Sequence, residues 1–96
     1  MSRFQTIEDV RIFCDSVAQL AIDLGDEKVG LMLREALAAG NTQSPTERLG
    51  ETILGLAAAR AVMDARYPAD VLAELDEAVT LGREAIRRAN GPWPIQ

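Results

Sequence analysis

Residues 44–68 read SPTERLGETILGLAAARAVMDARYP, and this stretch decides the fold. Ser44 stands where a helix N-cap stands, and Pro45 takes the first helical position. Glu47, three residues after the cap, completes a capping box by reaching back to the Ser44 amide. With Ile53 set at zero on a helical wheel, Leu49, Leu56, Ala57 and Met63 fall within about 80° of it, as one core face requires. Leu54, Ala58, Ala61 and Ala65 carry the apolar arc further round, and Val62 lies opposite. Proline disfavours helical geometry in the residue before it, so Tyr67-Pro68 closes the segment and the spacing predicts a helix over about 45–66. A helix that is apolar on most of its circumference needs neighbours on several sides.

Working outward, the same signals recur. Thr6 is an N-cap with Glu8 and Asp9 in the first turn, where the helix dipole favours negative charge. Val10, Cys14, Val17, Ala21 and Leu24 follow at steps of four and three, widened by Phe13 and Leu20, and Gly25 ends the run. Asp26 caps a second helix whose stripe is Val29, Met32, Leu33, Ala36 and Leu37, with Gly40 as a left-handed stop. Pro68 opens a fourth, with Asp70 in its first turn. Its stripe is Leu75, Val79, Gly82, Ile86 and Ala89, and Arg83, Arg87 and Arg88 lie toward its C-terminal end. The expectation is an all-α, four-helix antiparallel bundle of two helical hairpins with no β-sheet. It forms one domain over 1–96, with helices at about 6–24, 26–39, 45–66 and 69–89 and an irregular tail at 91–96.

Composition narrows the chemistry. The chain has 96 residues, 15 acids against 10 bases, a net charge of −5, no histidine and one cysteine, Cys14. A His-dependent triad, a His-ligated metal and a disulfide framework are excluded, and five arginines scattered among acids make a poor nucleic-acid footprint. No apolar run approaches the ~20 residues that span a bilayer, and no leader is legible near Met1, so a cytoplasmic protein is expected. Cys14 lies on the core stripe of the first helix with no base to activate it, which reads as a small buried hydrophobe. Gly30, Gly50, Gly55 and Gly82 fall inside helices, where they allow close helix approach rather than cradle a phosphate.

Carboxylates are the one plentiful catalytic-type group. Glu74-x-x-Glu77 resembles half of the acidic magnesium site of all-α nucleotide pyrophosphohydrolases of the MazG type, and the resemblance implies Glu47 and Glu51 as the second pair. Asp70 and Glu77, however, fall roughly 140–160° from Leu75, opposite the core stripe, where a solvated acidic face is expected instead. That enzyme is the alternative reading; the preferred one has no catalytic residue, no metal and no cofactor.

The preferred reading is a non-catalytic protein–protein interaction module. Arg60 and Asp64 fall within about 20° of the centre of the third helix's core face and are spaced to pair with each other. That pair sits at a wet end of the core, or it specifies contact with a second chain. Off-stripe Ile12, Ile22, Leu31, Val62 and Leu81 add to a contact surface. The interface candidates are therefore Leu54, Ala58, Arg60, Ala61, Val62, Asp64, Leu81 and Trp93, the last either a lid or a binding anchor. The expected partners are another protein, of basic character given the acidic balance, and a second copy in a homodimer, with no nucleic acid and no membrane.

The order helix, Gly25, helix, Ala38-Ala39-Gly40, short loop, Pro45-Thr46-Glu47, apolar helix, Pro68, acidic helix resembles a type of small uncharacterised bacterial all-α protein over about residues 15–90. The resemblance implies the fold and no activity. In size and charge the chain is similar to immunity proteins and antitoxins, which act by binding a partner.

Overall fold

A computed structural model describes residues 4–40 and 45–87. They form α1 (Ile7–Asp23), α2 (Glu27–Gly40), α3 (Pro45–Val62) and α4 (Ala69–Arg87), with no strand among the described residues. Close pairs run in opposite directions along neighbouring helices: Asp15 meets Arg34 while Ile22 overlies Gly30, and Ile53 meets Gly82 while Arg60 meets Asp76. The bundle is therefore antiparallel and built of two hairpins. No helix among the described residues is long and apolar enough to cross a membrane.

The ends of α1 are set by local hydrogen bonds. Thr6 Oγ1 accepts from the Asp9 amide at 3.1 Å, and Asp9 Oδ2 accepts from the Thr6 amide at 3.0 Å, a reciprocal capping box. Just before it, Phe4 is buried edge-on against Phe13, ring centroids 5.2 Å apart. At the other end the Gly25 amide donates to Ile22 O and the Asp26 amide to Ala21 O, with Gly25 at φ 81°. That is a Schellman stop, in which the left-handed residue has to be free of a Cβ clash. Gly40, expected just past α2, is its last helical residue.

The core is one cluster drawn from all four helices. Val10, Cys14 and Val17 of α1 meet Val29 and Leu33 of α2, Leu49, Ile53 and Leu56 of α3, and Leu75 and Ala78 of α4. Helix α3 packs on all three others, whereas α4 packs chiefly on α3. Two of these contacts pass through glycine. A Cβ at Gly55 would collide with the Ala36 Cβ of α2, and one at Gly82 would collide with the Ile53 side chain. Gly50 faces open space and serves no such purpose. The Gly82 contact also sets the facing of α4. Its buried residues are Leu75, Ala78, Val79, Gly82 and Ala85, so Ile86, expected on the stripe, is 38% exposed.

Polar ties join the hairpins. Arg11 on α1 donates to Thr52 Oγ1 at 3.3 Å and to Leu37 O at 3.2 Å, which places a cation at the last turn of α2. Thr52 is fully buried and donates to Arg48 O at 2.9 Å. At the bundle end that holds both hairpin links, the Tyr67 hydroxyl donates to Asp26 Oδ2 at 2.7 Å, and Arg66 reaches the same oxygen at 3.3 Å. Asp26 thus turns its carboxylate to the second hairpin, while its backbone carbonyl takes the first bond of α2 from Gly30.

Helix α3 stops at Val62, four residues short of the expected Arg66. Asp64 is the cause. Its Oδ1 accepts from the Arg66 amide at 3.0 Å, and its carbonyl accepts from the Tyr67 amide at 3.2 Å. A side chain that bonds backbone two residues on offers the chain a turn in place of helix.

Candidate interaction surface

The inner and outer sides of α3 are both apolar, and only the inner side is covered. Leu49, Thr52, Ile53, Leu56 and Ala59 are buried. Leu54, at 66% exposure, leads an outer strip continued by exposed Ala58 and Ala61, with Val62 (49%) at its edge. Steps of four and three keep these residues on one side of the helix, and none carries a charge.

Beside the strip, a cleft of about 360 Å³ separates α3 from α4. Ala57, Arg60 and Ala61 from α3 face Asp76, Thr80 and Arg83 from α4 across it. Arg60 Nε donates to Asp76 Oδ1 at 3.1 Å. The expected Arg60–Asp64 pair does not form. Asp64 lies beyond the helix end and binds Arg66 Nε at 3.0 Å, an exposed contact that holds its carboxyl below the ordinary carboxylate range. The i, i+4 rule fails here because the helix it presupposes ends at Val62.

The remaining interface candidates divide. Leu81 is partly buried against the core, a consequence of the same facing of α4 that exposes Ile86, and so it does not join the outer strip. Trp93 lies outside the described residues. Of the other exposed large apolar side chains, Ile86 sits on α4, and Ile12, Ile22 and Leu31 sit on the first hairpin. Ile22 and Leu31 flank Glu27 in a shallow apolar hollow, and Ile12 lines a cleft with Glu8, Asp15 and Leu37.

Glu77 is exposed, Glu51 and Glu74 are half-buried, and the side chain of Glu47 lies outside those described. Among the described residues no three of Cys, Asp and Glu form a group able to hold a metal ion. Cys14 is fully buried, and burial pushes its thiol up to about 12, so it stays protonated with its sulfur 3.9 Å from Leu33 O. Comparison with protein-family models, with curated proteins and with solved structures gives no match to this chain.

Proposed function

We propose that this chain is a non-catalytic protein-binding module that presents the outer side of α3 to another protein, as immunity proteins and antitoxins act by occupying a partner. One observation carries this reading: the helix at the centre of the packing holds an uncharged strip, Leu54–Ala58–Ala61, open to water on its far side. Leaving Leu54 in water forgoes roughly 1.5–3 kcal/mol of burial, which association recovers. Alanines beside it let a partner backbone approach closely. A second copy of the chain is the competing occupant of the same strip.

A photo-crosslinking residue at position 58, installed in the native host, tests the proposal. The expected product is one discrete adduct with another protein, lost when Leu54→Glu is added. Equal, diffuse labelling from position 58 and from Glu35, an exposed position on α2, would overturn it. An adduct of twice the chain's 10.4 kDa assigns the strip to a second copy instead.

A further inference from the structure

We propose that the α3–α4 cleft is a carboxylate-binding site, and that the protein segment seated on α3 is therefore apolar with an acidic side chain beside its apolar face. The inference rests on the preceding reading of α3 and adds the chemistry of the partner. Net charge alone points to a basic partner; the charge beside the strip has the opposite sign.

The cleft is lined by two arginines and one carboxylate, and of the two only Arg60 is paired with Asp76. Arg60 commits its Nε to Asp76, and among the described residues its terminal nitrogens have no partner. Arg83 has none at all among the described residues. Because Gly82 lies against Ile53 while Asp76 lies against Arg60, Arg83 and Arg60 mark opposite ends of the cleft, about two helical turns apart. The rest of the lining includes short, apolar side chains, Ala57, Ala61 and Val79. Thr80 uses its hydroxyl proton on Asp76 O at 2.8 Å and offers no donor. The chemistry on offer is thus a fork of N–H donors at Arg83, reached over an apolar floor that is continuous with the strip through Ala61.

A guanidinium binds a carboxylate through two parallel hydrogen bonds, a geometry an ammonium ligand cannot supply. A glutamate meets both requirements, since its methylenes cover the alanine floor and its oxygens reach Arg83. A lysine in the same place would set like charges together. Asp76 repels an incoming carboxylate, and its pairing with Arg60 moderates that repulsion.

The test uses two fluorescent helical peptides that share a Leu/Ala face and carry either glutamates or lysines beside it. Binding to the purified chain is followed by fluorescence anisotropy. The glutamate peptide is expected to bind, more weakly as salt is raised, and the lysine peptide is not. Arg83→Gln should weaken the glutamate peptide by roughly fivefold, and Asp76→Asn should tighten it by roughly threefold. Tightening by Asp76→Asn is a result that a merely structural role for these residues would not produce. Circular dichroism confirms that each variant is folded.

Equal binding of the two peptides, binding of neither, or indifference to Arg83→Gln overturns the carboxylate site. Leu54→Glu separates this inference from the reading beneath it. Loss of binding with Leu54→Glu but not with Arg83→Gln keeps the strip and sinks the cleft; the converse keeps the cleft and sinks the strip. A dimer that Leu54→Glu splits, and that excludes both peptides, gives the surface to a second copy and overturns the proposal.

Discussion

Leu54 and Leu56 stand two residues apart on one helix and meet opposite fates. Leu56 is wholly buried in the shared core; Leu54 is two-thirds exposed. Nothing in residue type separates them. The difference comes from where the described helices lie: three pack on α3's inner side, and among the described residues no helix covers the outer one. Apolar character on an inner side is explained by the core. On an outer side it asks for a partner.

Substitutions at the two leucines break or sharpen that contrast. Leu56→Ala removes buried methyl groups and leaves a cavity, and should cost about 2–5 kcal/mol in urea unfolding. Leu54→Ala in the isolated chain should change stability by under about 0.5 kcal/mol. Comparable losses at both would mean that the outer strip is already buried in solution.

Packing through glycine gives the next largest effect. Gly82→Ala drives a methyl group into Ile53 and should cost about 1–3 kcal/mol. Gly50→Ala, facing open space, should be neutral or stabilising by several tenths of a kcal/mol through helix propensity. Thermal melts of the two variants side by side decide the point.

The inner side also carries the pH dependence. Burial raises the Cys14 thiol from 9.0 to about 12, and burial followed by the Asp26 hydrogen bond raises the Tyr67 phenol above its usual 10. In each case the unfolded chain loses its proton first. Stability is therefore complete below pH 9, falls as pH rises through 9 to 12, and falls less steeply in Cys14→Ala. Tyr67→Phe should cost about 1 kcal/mol at neutral pH by removing a hydrogen bond to Asp26, whose side chain is only 12% exposed, and should flatten the decline above pH 10. Urea midpoints collected across pH 7–11 check both. Outer-side variants should leave this profile unchanged.

What was legible from sequence follows the reach of the signal. Caps, stops and stripes act within a few residues, so Thr6, Gly25, Pro45 and the helix count could be read directly. The outer residues Leu54, Ala58, Ala61 and Val62 were legible for the same reason, since a helical wheel needs only one helix. The end of α3 lies earlier than Pro68 predicts because the Asp64 turn acts first; an Asp two residues before a basic residue is its local signal. The partner of Arg60 was misread because Asp76 lies sixteen residues away, across a packing that no local rule supplies. The exchange of Leu81 and Ile86 on α4 depends on Gly82 meeting Ile53, and the Arg11 bridge to Thr52 and Leu37 depends on three helices at once.

Hydroxyl-radical footprinting of α3, in the purified chain and inside native-host cells, tests the central claim most directly. Leu31, at 61% exposure on the first hairpin, is the internal reference. Leu54 should be oxidised as readily as Leu31 in the dilute purified chain and protected relative to it in cells. Equal oxidation of Leu54 and Leu31 in both settings would contradict the assignment of α3's outer side to a partner.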